Sequence, residues 1–177
     1  MEQTLKSASI NYGLYLGAAL TLFTILGYAF NLNLLVNLWI ILLVIPLFII
    51  GFGIVSTAKA KGALNGYLSF KQAFSSFFIT VAVAILISTF INIVLFDFID
   101  PKAAIELKSI LIEQTTTMLE NANAPADKIS ESIYKIESQD TYALGTQVKS
   151  LAQSLIFFAV IGLLVAAAMK KTNPNSQ

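Results

Sequence analysis

From Ser7 to Ala58 the chain carries no Asp, Glu, Lys or Arg, and Leu, Ile, Val, Phe and Ala dominate the stretch. A bilayer core about 30 Å thick takes roughly 20 apolar residues per helix, so this run is long enough for two crossings with a hinge between them. The hinge falls at Asn31-Leu32-Asn33, where two polar residues come close together near the middle of the run. The expected transmembrane helices are 10–30 and 34–55. Pro46 lies inside the second, where it removes a backbone hydrogen bond and predicts a kink near Leu42–Pro46.

Composition sets the class of the whole chain. With 56% hydrophobic and 12% charged residues over 177 positions, it reads as one integral membrane domain, 1–177. The net charge is +1 and every basic residue is Lys, so nucleic acid is not an expected partner. There is no Cys and no His, which excludes disulfides and imidazole or thiolate metal sites and removes the commonest nucleophiles and general bases. No catalytic residue, cofactor or metal ligand is expected. Glu2 accompanies Lys6 ahead of an apolar run far longer than a signal-peptide core, so the first helix is expected to be retained.

Along the chain, Ser9, Gly13, Gly17 and Thr21 recur at four-residue spacing and give the first helix a thin face. The Gly13/Gly17 pair suits close backbone approach, within the chain or in a dimer, because lipid supplies no hydrophobic drive between helices. Gly51 and Gly53 thin the end of the second helix. A polar interval, Ser56–Phe70, holds Lys59 and Lys61. It ends in Ser69 followed three residues later by Gln72, a capping-box spacing that starts a third helix over 72–96. Asp100-Pro101 then opens a helical insert over 100–139, since Asp at the N-cap with Pro at the first position is a strong helix start. Ala104, Ile105, Leu111, Ile112, Met118, Leu119 and Ala122 form its stripe, opposite Glu106, Glu113 and Glu120. Asn121–Pro125 makes a turn. A second amphipathic helix carries Ile129, Ile133 and Ile136, and the two stripes are expected to face each other as an antiparallel hairpin. Leu107 and Ile110, on the flank of the main stripe, form a candidate interaction surface toward the mouth of the bundle, a second copy or a partner protein. Asp140 or Thr141 is placed to cap a new start before the fourth transmembrane helix, 150–169. Lys170 and Lys171 close that helix, and Thr172–Gln177 is a polar tail.

Gly66, Ser69, Phe70, Ala73 and Phe74 before the third helix, the Asp100-Pro101 step after it, and the order of three helices, polar insert and last helix resemble a family of small bacterial membrane proteins, domain of unknown function 4199. The resemblance covers most of the chain. It implies an all-α, four-helix integral membrane protein, and it implies no activity, substrate or catalytic residue.

Lysines set an orientation. Lys6, Lys59, Lys61, Lys71, Lys170 and Lys171 share one face with Glu2 as its only acid, which makes that face cytoplasmic by the positive-inside rule. The opposite face receives Asn31–Asn33 and the insert, with nine acids and five Lys (Lys102, Lys108, Lys128, Lys135, Lys149). Four crossings in a bacterial inner membrane, both termini cytoplasmic and the hairpin periplasmic, satisfy every segment. Tyr12, Tyr67 and Phe70 fall at the inner boundary, and Tyr28, Trp39, Phe98 and Tyr142 toward the outer one. No ionisable residue lies inside the four spans, which disfavours secondary active transport. Asn11, Asn37, Thr80, Ser88, Thr89, Asn92, Gln153 and Ser154 remain as interhelical hydrogen-bonding groups, with Asn92 toward the outer third of its helix. Asp97, Asp100 and Asp140 are too few oxygens for calcium. The sequence therefore points to a non-enzymatic structural or interaction component, in contact with the bilayer and with a second copy or a membrane-protein partner. The alternative is a small transporter, channel or accessory subunit with a path along Asn92, Ser88 and Thr89.

Overall fold

The computed structural model describes residues 2–139 and 143–171, with side chains from Leu5 onward. The expected cap at Asp140 or Thr141, Tyr142 and the tail Thr172–Gln177 lie outside the described residues. The elements are α1 (Glu2–Phe30), α2 (Asn33–Val36), α3 (Ile45–Ala63), α4 (Phe70–Ile93), α5 (Pro101–Asn121), α6 (Ala126–Ser138) and α7 (Leu144–Met169). Two π-helical segments, Ile40–Val44 and Val94–Ile99, lead into α3 and out of α4. Among the described residues, extended pairing is confined to one antiparallel bridge, Leu68 with Lys171. Four helical stretches are long and apolar enough to cross a membrane: Leu5–Phe30, Ile40–Ala63, Phe70–Ile99 and Leu144–Met169.

The helices overrun the expected bounds wherever nothing in the sequence stops them. α1 begins at Glu2 rather than 10, and α7 at Leu144 rather than 150. α3 continues through Lys59 and Lys61 to Ala63, because Ser56 and Thr57 are both buried and the Thr57 hydroxyl donates to the Gly53 carbonyl at 2.8 Å instead of breaking the helix. The true stop is a Schellman cap. Asn65 takes a left-handed φ of 54°, its N–H bonds the Gly62 carbonyl at 3.2 Å, and the Gly66 N–H bonds that of Lys61 at 2.9 Å. Gly66 itself sits at φ 84°, a region other residues enter only with strain. α5 ends by the same device at Asn123, with φ 53°.

The hinge is wider than Asn31–Asn33 alone. Asn31 Oδ1 accepts from the Asn33 N–H at 3.0 Å, one turn of α2 follows, and Asn37 Oδ1 accepts from Trp39 and Ile40 at 3.1 and 3.2 Å. Asn37 is thus an N-cap and not the mid-helix hydrogen-bonding group expected, so the second crossing starts after it rather than at 34. Both π segments lie just ahead of a proline, Pro46 or Pro101. Proline cannot donate and its ring crowds the carbonyl four residues back, so the preceding turn widens. The Ile45 N–H reaches the Ile40 carbonyl, and the Asp100 N–H reaches that of Leu95 at 2.8 Å, both spanning five residues.

The contacts gather into two compact units: Met1–Thr21 with Pro46–Ser88 and Leu151–Gln177, and Leu22–Ile45 with Thr89–Ser150. In the first, the fully buried ring of Phe77 is seated between Gly53 and Gly162, where an added Cβ would lie 2.5 and 2.8 Å from ring atoms. Gly51 faces open space, so of the expected pair only Gly53 serves packing. A Cβ on Gly13 would meet Val83 at 2.8 Å and the Thr80 carbonyl at 2.9 Å, and one on Gly17 would meet Ile87 at 2.9 Å. The thin face of α1 is therefore filled by α4.

The second unit has its own apolar core. Val36, Phe96, Ala103 and Leu107 are buried together, with Tyr28, Leu32, Leu35, Ile110 and Leu111 packed against them. Tyr28 meets Phe96 edge-on at 6.2 Å between ring centroids. The buried line of α5 is Ala103–Leu107, flanked by half-buried Ile110, whereas Ile105 of the expected stripe is 70% exposed. On α6 Ile129, Ile133 and Ile136 are half-buried, as the periodicity requires, together with Ser132 between them. The Lys108 ammonium donates to the carbonyls of Glu137 and Gln139 at 2.7 and 2.9 Å, closing the C-terminal end of α6 with a cation against its dipole.

Candidate functional site

In the first unit, α1, α3 and α4 carry small residues where they meet, and the space so opened holds hydroxyls. Ser9, Ser56, Ser76 and Thr80 are all buried. The Ser9 hydroxyl donates to the Leu5 carbonyl at 2.9 Å and lies 2.9 Å from Ser76 Oγ, which in turn lies 3.4 Å from Ser56 Oγ. Thr80 Oγ1 is 2.8 Å from Ser56 Oγ and 3.0 Å from each of the carbonyl oxygens of Ser9 and Ser76. Its single proton serves one acceptor at a time, so the cluster shares protons among three helices. Each such interhelical bond contributes about 0.6 kcal/mol on average in a membrane protein.

Beside this cluster opens a cavity of about 200 Å³ lined by Leu5, Lys6, Ser9, Ser69, Lys71, Gln72, Ser75, Ser76 and Ile79. Lys6 and Lys71 are exposed at its rim, while Ser9 and Ser76 form its inner wall. One side is the start of α4, where the capping box closes as its spacing predicts: the Gln72 N–H donates to Ser69 Oγ at 3.2 Å and the Ser69 N–H to Gln72 Oε1 at 2.9 Å. The loop before it is fixed by the Leu68–Lys171 bridge, with bonds of 2.9 and 2.8 Å, and the Lys171 ammonium sits 5.5 Å from the centre of the Tyr67 ring. Of the family-like residues, Gly66 and Ser69 shape this loop, Phe70 opens α4, and Ala73 and Phe74 pack with Leu5, Ala60, Leu68 and Ala166. Sequence reading missed Ser9, Ser56 and Ser76 as one cluster. The usable signal was that all three sit among small residues on helix faces that meet.

Asp100 and Pro101 belong to the second unit. One Asp100 carboxylate oxygen accepts from the Ala103 N–H at 3.2 Å and the other from the Tyr28 hydroxyl at 3.0 Å, and Pro101 is the first residue of α5. The Ala103 N–H, then the Tyr28 hydroxyl, hold the Asp100 carboxyl below its ordinary range. Leu107 is 1% exposed and packs on Val36, Phe96 and Ala103, so it is core and not a surface for a partner. Of the contacts considered for it, the one made is within its own chain. Asn92 and Ser88 are half-buried. Among the described residues no three of Asp, Glu, His and Cys come together as a metal site.

A family model described as "Protein of unknown function (DUF4199)" matches residues 11–171. No curated protein and no solved structure matches the chain.

Proposed function

This chain belongs to the DUF4199 family, whose description assigns no activity, and from that premise we propose that it is a non-enzymatic component of a bacterial inner membrane. In this reading it crosses four times with both termini cytoplasmic. The α5–α6 pair is an antiparallel hairpin on the periplasmic side and presents a protein-interaction surface to a second copy or a membrane-protein partner. The observation that carries the reading is how the pair is anchored. The Asp100 cap, the Pro101 start and the burial of Leu107 seat α5 on its own chain, while Ile105 at 70%, Tyr134 at 71% and Met118 at 47% exposure remain outward. A helix pair of this length is marginal alone, so its anchoring makes it a rigid platform rather than a tether.

Replacing Ile105 and Tyr134 together by Ser tests the platform in cells. The expected outcome is unchanged abundance in the membrane with loss of species crosslinked through α5–α6. An unaltered crosslinking pattern would contradict the interaction role.

A further inference from the structure

The lysine-rimmed cavity has the chemistry of an anion site at a membrane boundary, and we propose that it holds the phosphate of an anionic phospholipid headgroup. Lys71 follows Phe70, the first residue of one candidate span, and Lys6 precedes the charge-free run that opens at Ser7, so both stand where apolar helices leave hydrocarbon. Charge is one-sided here. The sequence segments of this unit contain six lysines and a single acid, Glu2. A basic pocket between membrane helices near the surface attracts anionic headgroups, each lysine adding to the attraction. The lining also supplies hydroxyls from Ser69 and Ser75 as donors to phosphate oxygens, and Leu5 and Ile79 as apolar wall for the first carbons of the lipid. About 200 Å³ admits a phosphate group with its ester carbons but not a whole lipid, whose chains would lie outside along the apolar helices. The positive end of α4 adds to the same field. This inference does not depend on what α5–α6 binds.

Native mass spectrometry of the purified full-length protein in detergent, titrated with phosphatidylglycerol or phosphatidylcholine and with inorganic phosphate as competitor, reads the site directly. Phosphatidylglycerol should bind in preference to phosphatidylcholine. Lys6→Gln with Lys71→Gln should weaken it by about tenfold, while Lys59→Gln with Lys61→Gln, which removes equal charge away from the cavity, should leave it as in the parent. Each single rim variant should give an intermediate loss, and Lys71→Gln alone, at an exposed position, should melt without lipid as the parent does. Equal loss from the two pairs would overturn the site in favour of diffuse attraction. Absence of a preference between the two lipids would overturn it as well. Inorganic phosphate displacing the lipid at equal concentration would overturn the assignment to a headgroup. None of these results bears on crosslinking through α5–α6, so the two proposals fail separately.

Discussion

The two units of this chain solve the same packing problem differently: close approach through glycines and hydroxyls marks the first, and caps around an apolar cluster mark the second. In the first, glycines and hydroxyl residues let helices approach until backbone meets side chain, as at Gly13 against Thr80 and Val83, and the fully buried ring of Phe77 is gripped by two glycines. In the second, Phe96, Leu107 and Val36 fill the space and the chain ends are tied by caps, Asn37 at one helix start and Asp100 at another. Between apolar helices in lipid, close van der Waals contact and hydrogen bonds supply the attraction that water would otherwise provide, so small residues win there. The second unit includes the charged helices α5 and α6, whose apolar faces can gain from leaving water, and large side chains are then the more productive choice.

Removing one large, fully buried side chain from each unit is the strongest test of that contrast. Phe77→Ala should cost about 3–5 kcal/mol and Leu107→Ala about 2–5 kcal/mol, since each opens a cavity at a fully buried position. Amide exchange should rise in the first unit for Phe77→Ala and in the second for Leu107→Ala. Exchange rising equally throughout both units in either variant would erase the distinction.

A smaller effect sharpens the role of the small residues. Gly13→Leu and Gly17→Leu should each cost about 1–3 kcal/mol through overpacking, with melting in detergent lowered although hydropathy rises. A parent-like melting curve would place that face of α1 against lipid and not against α4.

Smallest is the effect of acid on the second unit. The carboxyl of Asp100 is held below its ordinary 3.8 by the Ala103 N–H and the Tyr28 hydroxyl, so its contribution is complete above that value and is lost as pH falls through the depressed one. Asp100→Asn should remove the part of the acid-induced loosening that centres on the start of α5, read by exchange of the Ala103 amide. An identical acid profile in the variant would show that the cap does not titrate with folding.

Much of this was legible from local chemistry. The Ser69/Gln72 box and the Asp100-Pro101 start announce themselves because a cap depends on residues within one turn. Asn65 and Asn123 were harder. Asparagine ends a helix only if its backbone turns left-handed, and nothing local required that at Asn65, so the stop at Ala63 was read as an earlier polar interval. The contact of Leu107 was left open because its periodicity places it on the flank of the α5 stripe, and only the partners Val36 and Phe96, distant in sequence, make that flank the buried line. The hydroxyl cluster failed for the same reason. Ser9, Ser56, Ser76 and Thr80 are unremarkable singly and become a site only once three helices are placed together.

The proposed topology, four crossings with the lysine-rich ends on one side of the membrane and α5–α6 on the other, is tested most directly by accessibility. The chain has no cysteine, so Ala63→Cys and Asn121→Cys each introduce a unique thiol at an exposed position. In intact cells an impermeant thiol reagent should label Asn121→Cys and spare Ala63→Cys, which should react only after the membrane is opened. Labelling of both in intact cells, or of neither, would contradict the four-crossing arrangement.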